Sequence, residues 1–175
     1  MSGVSVISGG LLSPLSFADH LAGSDGFRAL FREGMDLVEQ AAGYLDGEGR
    51  EVAKGLARHD ALSYAAESMR LTTRLMQLAS WLLLQRAVNE GEMTKAQASC
   101  EKHKVKLSSQ DVASAPEAFA RLPEKLRDLV AQSLRLQARI IHLDELIYVR
   151  PSNIAPPTSS PVALQLAQLR SAFPG

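Results

Sequence analysis

The sequence predicts an all-α protein, an antiparallel three-helix bundle with flexible N- and C-terminal segments. Apolar residues recur with the helical period in three long stretches, and no stretch alternates apolar and polar residues as a strand does. Segments rich in Gly, Ser or Pro lie at both ends of this region. We therefore expect a flexible lead over residues 1–23, the bundle over residues 24–150 and a disordered tail over residues 151–175.

The first helix is predicted to begin near Ser24 or Asp25. Apolar residues then follow the i, i+3, i+4, i+7 spacing of an amphipathic helix, at Phe27, Leu30, Phe31, Leu37, Val38 and Ala41. The DGEG sequence that follows supplies a stop, and a short helical turn is expected around residues 51–56.

The second long helix is predicted from about Asp60 to Asn89, with Gly91 as the residue that breaks it. It carries two apolar stripes on nearly opposite sides, one with Leu71, Leu75, Leu78 and Leu82, the other with Met69, Met76, Leu83 and Ala87. A bundle helix needs only one such stripe. The second stripe therefore contacts either the outer helix pair or a second copy of the chain, and we favour a homodimer.

A third stripe of the same helix is polar and contains Glu67, Arg70 and Arg74, with Trp81 on the same line. Two interpretations stay open. In one, the stripe is a solvated face on which Glu67 and Arg70 form an intrahelical ion pair. In the other, these four residues form a protein-docking surface, because Arg and Trp are enriched at interface hot spots.

The third long helix is predicted to follow Pro123, a residue suited to the first turn of a helix, and to end at Tyr148. Before it, Thr94 is placed to cap one further short helix, and Pro116 is placed to start another. The composition changes at Pro151, so the folded domain is expected to end there.

Within the predicted tail, four apolar residues fall at spacings of four, three and four, namely Val162, Leu166, Leu169 and Phe173. They share one helical face, but so short a helix is not stable alone in water. The segment is a candidate docking element that folds on a partner, and the alternative is a tail that is simply disordered.

The composition excludes several classes of function. The 175 residues suit one domain, and 19 basic residues balance 19 acidic ones, which argues against a nucleic-acid partner. A single cysteine, Cys100, and the lack of a secretory signal indicate a cytoplasmic protein. The uncharged run from Leu75 to Gln85 is about half the roughly 20 residues that membrane insertion needs.

No pattern in the sequence calls for catalysis. The four histidines are far apart, without the spacing of a metal site, and Cys100 has no sequence signature of a nucleophile. Nucleotide-binding and nucleophile-elbow motifs are missing. We therefore assign no catalytic, cofactor-binding or metal-binding residue, and we expect a protein that is not an enzyme.

The central segment ESMRLTTRLMQLASWLLLQRAVNEGEM, with LVEQAAGYLDGEGR before it and RLPEKLRDLVAQSLRLQARIIHLDELI after it, closely resembles the regulator of CtrA degradation family. The resemblance covers about Phe27 to Tyr148. It implies a helical, homodimeric, non-enzymatic adaptor that helps the ClpXP protease degrade the cell-cycle transcription factor CtrA and other cargo. It also implies two further partners: a response regulator that primes the protease and a cyclic-di-GMP effector that carries the factor.

The positions that match the family's motif are expected to serve structure and docking, and they are Glu67, Met69, Arg70, Arg74, Trp81 and Arg86. Concentration at a cell pole stays open. Two alternatives come from other classes of function. One is a helical dimeric regulator that touches nucleic acid through its arginines, and the other is an enzyme or sensor that binds a small ligand between the helices.

Overall fold

The computed structural model describes residues 24–105, 107 and 114–149, and these residues form six α-helices followed by one π-helical turn. The elements in chain order are α1 (Asp25–Asp46), α2 (Glu48–Lys54), α3 (Arg58–Asn89), α4 (Lys95–Lys102), α5 (Pro116–Ala120), α6 (Glu124–Asp144) and the π turn (Glu145–Val149). The predicted all-α class is confirmed. The predicted flexible lead, residues 1–23, and tail, residues 151–175, lie outside the described residues.

The three long helices α1, α3 and α6 form the bundle. Helix α1 runs antiparallel to both others. Phe31 of α1 lies beneath Arg86 near the end of α3, and Gly34, further along α1, lies against Leu82, which comes earlier in α3. Gly34 also lies against Leu136 of α6. Helices α3 and α6 run parallel to each other. Their contacts advance together along both helices, from Arg74 with Ser133 to Trp81 with Asp144.

The parallel pairing of α3 and α6 differs from the antiparallel order expected of neighbours joined by short loops. Its physical cause is the long connection between them. Helix α4 lies at the end of α3, where Lys102 pairs with Asp144. Helix α5 lies at the other end, where Arg121 pairs with Asp60 at the start of α3. The connection thus returns the chain along the bundle before α6 begins.

Local sequence signals set the helix ends close to where they were predicted. Gly91 has a φ of 76°, a left-handed conformation that glycine adopts without steric cost, and α3 ends two residues before it. Thr94 and Gln97 form a reciprocal capping box at the start of α4. Pro123 precedes α6 in an extended conformation, so it lies one residue before the first turn.

The core lies along the axis shared by the three long helices. Helix α3 contributes the first predicted apolar stripe, and α6 contributes apolar residues along one side. The largest fully buried apolar side chains are Leu71, Leu78, Trp81, Leu82, Leu126, Leu129, Leu136 and Ile140. Gly34 allows α1 to approach closely, since a Cβ there would collide with the Leu82 side chain. Of the helices that the structure describes, none is both long and apolar enough to cross a membrane.

Candidate docking surfaces

The predicted polar stripe of α3 begins with a cluster of three side chains around Glu67. Arg70 donates a hydrogen bond of 2.6 Å to the Glu67 carboxylate and another of 2.7 Å to the Ser114 hydroxyl. The Ser114 hydroxyl in turn donates to the same carboxylate oxygen at 2.8 Å. Glu67 is 4% exposed, so its charge is held by a closed triangle of contacts inside the chain.

Arg74, one turn further along α3, reaches across to α6. Its guanidinium donates to the Ser133 hydroxyl at 2.9 Å, and that hydroxyl donates to the Val130 carbonyl at 2.7 Å. Burial lowers the pKa of Arg74 from its ordinary value, while the Glu67 carboxylate acts in the opposite direction. The guanidinium nevertheless stays charged throughout the physiological range.

Trp81 ends the stripe and is 1% exposed. Its indole N–H donates to Asp144 at 2.8 Å, and the second carboxylate oxygen of Asp144 accepts from Lys102 at 2.8 Å. The Lys102 ammonium also lies 4.4 Å from the centre of the Tyr148 ring. The cluster joins α3, α4, α6 and the π turn at one end of the bundle.

The structure thus brings Glu67, Arg70, Arg74 and Trp81 to one side of α3, and all four bind partners of the same chain. The predicted Glu67–Arg70 ion pair is present. The solvated-face interpretation is wrong for Glu67 and Trp81, which are buried. The docking interpretation stays a prediction, and the Arg70 side chain, which is 21% exposed, is one point at which a partner could contact this face.

The partners of this face were missed from the sequence because they are distant along the chain. Ser114 and Ser133 follow Glu67 and Arg74 by more than forty positions. Asp144, in the HLDELI segment, lies 63 positions beyond Trp81. The usable signal was Trp81 itself, because a buried indole N–H requires an acceptor.

Of the predicted second apolar stripe of α3, Met69, Met76 and Leu83 are left uncovered by the described helices, whereas Ala87 is partly buried. Leu62, one heptad before Met69, extends the exposed row. Leu62, Met69, Met76 and Leu83 recur every seven residues and are 67%, 72%, 66% and 52% exposed. These four residues are called the apolar stripe below. A row of large exposed side chains at heptad spacing on one helix is typical of a surface that packs against another helix.

Among residues 24–105, 107 and 114–149, no three His, Cys, Asp or Glu side chains are grouped so that they could hold a metal ion. Cys100 is exposed on α4. The clefts between the helices are open grooves lined by Arg, Phe and acidic side chains.

Comparison with known proteins identifies the family. A family model described as "Protein of unknown function (DUF1465)" matches residues 18–173, nearly the whole chain. The chain belongs to this family. The match reaches further in both directions than the Phe27 to Tyr148 region that carries the resemblance, so the proline-rich segment after residue 150 belongs to the family pattern as well.

A solved structure supports the same assignment. The crystal structure of RcdA from Caulobacter crescentus CB15 is 50% identical in sequence, with a TM-score of 0.58, over 72% of this chain and 93% of that chain. The predicted membership in the regulator of CtrA degradation family is confirmed by these two matches. No curated protein matches the chain.

Proposed function

We propose that this DUF1465 protein is a non-enzymatic adaptor that brings the transcription factor CtrA and other cargo to the ClpXP protease. The family resemblance and the 50% identity to RcdA support this function. The structural observation that carries the proposal is the apolar stripe on α3, since four large apolar side chains that the described helices leave exposed are suited to protein docking.

The even spacing of the stripe suits the packing of two copies of α3 about a two-fold axis. Leu62 and Leu83 lie at equal distances along the sequence from a point between Thr72 and Thr73, and so do Met69 and Met76. Two α3 helices packed antiparallel about a two-fold axis at that point bring Leu62 to the partner's Leu83 and Met69 to the partner's Met76. Thr72 and Thr73 lie at the crossing, where small side chains allow close approach.

The partners of the adaptor follow from the family resemblance. They are ClpXP with its response-regulator primer, and a cyclic-di-GMP effector or the transcription factor as cargo, in the cytoplasm with concentration at a cell pole. Two further docking elements belong to the proposal. The partly exposed Arg70 edge of the polar stripe contacts a partner, and the tail residues Val162, Leu166, Leu169 and Phe173 fold as a short helix on a partner.

The nucleic-acid alternative loses support from the arginines on which it depended. Arg70 and Arg74 are bound to Glu67, Ser114 and Ser133 within the chain, and Arg86 pairs with Glu90 at 2.7 Å. Each of the three guanidinium groups already has a partner within the chain, so none is free to bind a phosphate. We therefore keep the adaptor as the function.

Dimerisation through the apolar stripe is tested with the substitution Met76→Glu. A carboxylate near the two-fold axis lies in apolar surroundings and close to its own symmetry copy, so we expect monomers at micromolar concentration by light scattering. The matched control is Leu134→Glu, because Leu134 is an exposed apolar residue on α6, away from the stripe. A dimer that survives Met76→Glu with an unchanged dissociation constant contradicts the proposed interface.

Delivery of cargo is tested by reconstituted degradation. Purified ClpXP, its response-regulator primer, the cyclic-di-GMP effector and CtrA are incubated with and without the chain, and the loss of CtrA is followed over time. We expect faster loss when the chain is present. An identical rate with and without it would remove the adaptor function. Deleting the residues from Pro151 onward then tests the tail. An unchanged rate of CtrA degradation would show that the tail does not contribute to delivery.

A further inference from the structure

A groove separate from both α3 faces described above runs between the first half of α1 and the last turn of α3. It has a volume of about 550 Å³. Its α1 edge consists of Arg28, Phe31, Arg32 and Met35, which follow the i, i+3, i+4, i+7 spacing and therefore share one side of the helix. Arg86 forms the opposite edge.

The floor of the groove is apolar and its rim is basic. Phe27 and Phe31 lie with ring centres 6.4 Å apart, and Phe31 and Met35 are only partly buried against the core. The Arg86 guanidinium lies 5.2 Å from the centre of the Phe31 ring. This stacking fixes the guanidinium beside the apolar floor, where a ligand could contact both.

The charges of the groove are not balanced. Three guanidinium groups, those of Arg28, Arg32 and Arg86, line it together with one carboxylate, that of Glu90. Arg86 pairs with Glu90, and Arg28 pairs with Asp25 at 3.2 Å at an exposed position. Within the part of the chain that the structure describes, Arg32 forms no ion pair. Glu92 also acts on Arg86, so the positive charge that the groove leaves uncompensated over its apolar floor is that of Arg32.

We propose that this groove binds an acidic peptide segment of another protein, one that carries at least two carboxylates beside a large apolar side chain. The apolar side chain packs on Phe31 and Met35. One carboxylate binds Arg32, and the other binds Arg28, whose pair with Asp25 is exposed and therefore weak. Guanidinium groups suit this role because they bind carboxylates in a two-pronged geometry. The groove between two antiparallel helices also matches a helical peptide that lies along it.

The charge pattern of the chain itself argues for a separate partner. Residues 150–175 contain no Asp or Glu and include Arg150 and Arg170, so this segment is repelled by the groove's arginines. Residues 1–23 contain a single acidic residue, Asp19. Neither segment has the pair of carboxylates that the groove selects.

The proposal goes beyond adaptor function and is tested without protease or cargo. Full-length protein is titrated against a fluorescent peptide of sequence EELEFLEE, and binding is measured by anisotropy. Two control peptides separate the contributions: KKLKFLKK reverses the charge, and EEGEGSEE removes the apolar residues. We expect the first peptide to bind, with affinity that falls as salt is added, and both controls to bind at least about tenfold more weakly.

The protein variant is Arg32→Glu, which reverses the charge of the unpaired guanidinium on α1 and leaves α3 unchanged. We expect binding of EELEFLEE to weaken by about tenfold or more. The matched control is Arg50→Glu, the same charge change at an exposed position on α2, with an expected effect below about twofold. Light scattering and circular dichroism check that both variants keep the oligomeric state and fold of the wild type.

Several outcomes would overturn the proposal. These are no binding of EELEFLEE to the wild type, equal binding of EELEFLEE and KKLKFLKK, and unchanged affinity in Arg32→Glu. Tighter, Arg32-dependent binding of a DNA duplex would assign the groove to nucleic acid instead. A change of oligomeric state in Arg32→Glu alone would assign it to a second copy of the chain. The peptide-binding results do not depend on the outcome of the dimer test at Met76.

Discussion

The indole N–H of Trp81 donates a hydrogen bond of 2.8 Å to the carboxylate of Asp144, and this contact ties the last third of the long helix α3 to the last residue of α6. Asp144 also holds Lys102 of α4 through its other oxygen. One carboxylate thus joins three helices. Because the Trp81 ring is almost fully buried, its packing depends on these helices, and its indole N–H depends on Asp144 as an acceptor.

We expect Trp81→Phe to lower the free energy of unfolding by about 2–4 kcal/mol, because a smaller ring leaves a cavity and Asp144 loses a donor. Asp144→Asn keeps an oxygen for Trp81 but loses the charge that holds Lys102, so its cost is smaller, about 1–2 kcal/mol. Urea unfolding followed by circular dichroism measures both. A Trp81→Phe protein as stable as the wild type would show that the ring is not a central part of the core.

The Glu67 cluster supplies a second prediction, on the cost of a buried charge pair. Glu67→Gln leaves the guanidinium of Arg70 partly buried without its counter-charge, and we expect a loss of about 2–3 kcal/mol. Replacing both partners, Glu67→Met with Arg70→Met, removes the unpaired charge as well, so the double variant should be more stable than Glu67→Gln.

The chain contains a matched control for that pair. Glu51 and Lys54 on α2 have the same i, i+3 spacing and are 2.8 Å apart, but both are exposed. Glu51→Gln should cost no more than about 0.5 kcal/mol. Chemical denaturation of the three variants and the wild type gives the comparison. Equal losses for Glu67→Gln and Glu51→Gln would mean that burial adds nothing to the Glu67–Arg70 pair.

Local signals in the sequence were enough to predict the helices, since each helix end depends on residues within a few positions of it. Gly91 ends α3 because it adopts a positive φ, and Thr94 starts α4 because its hydroxyl caps the backbone. The exposed Met69 and Met76 were likewise predictable from helical geometry, because a second stripe on α3 has no obligatory neighbour in a three-helix bundle.

The burial of the polar stripe could not be predicted from the sequence because it depends on segments that are distant along the chain. The sequence placed Glu67, Arg70, Arg74 and Trp81 on one side of α3, and the structure does the same. Whether that side is solvated depends on the connection after α4, which returns along the bundle and supplies Ser114 to Glu67. The direction of that connection also makes α3 and α6 parallel, and no local pattern reports it.

Gly34 and Gly43 on α1 offer a third prediction, in which the same substitution has opposite effects. A Cβ at Gly34 collides with the Leu82 side chain in the core, so Gly34→Ala should destabilise the protein by about 1–3 kcal/mol. A Cβ at Gly43 meets nothing within 4 Å, so Gly43→Ala should stabilise it by up to about 1 kcal/mol through helix propensity. Thermal unfolding distinguishes the two. A stabilising Gly34→Ala would show that α1 does not approach α3 as closely as described.

Tyr44 predicts how stability responds to alkaline pH. Burial, together with the nearby Tyr64 and Glu48, raises the pKa of Tyr44 to about 12 from its ordinary value of 10.0. The folded protein therefore keeps this phenolic proton over a range in which the unfolded chain releases it. The contribution of Tyr44 is fully present below pH 10 and is lost as the pH rises from about 10 to about 12, by up to about 1.4 kcal/mol per pH unit.

Tyr44→Phe removes the titrating hydroxyl while keeping the ring, so its unfolding free energy should fall less steeply than that of the wild type above pH 10. Urea unfolding at a series of pH values measures both slopes, and tyrosinate absorbance follows the ionisation directly. Comparing the two proteins near neutral pH corrects for any loss of packing, because Tyr44 is protonated there in both the folded and the unfolded states. Identical slopes above pH 10 would mean that Tyr44 ionises as readily in the folded protein as in the unfolded chain, and that its hydroxyl is reached by solvent in the native state.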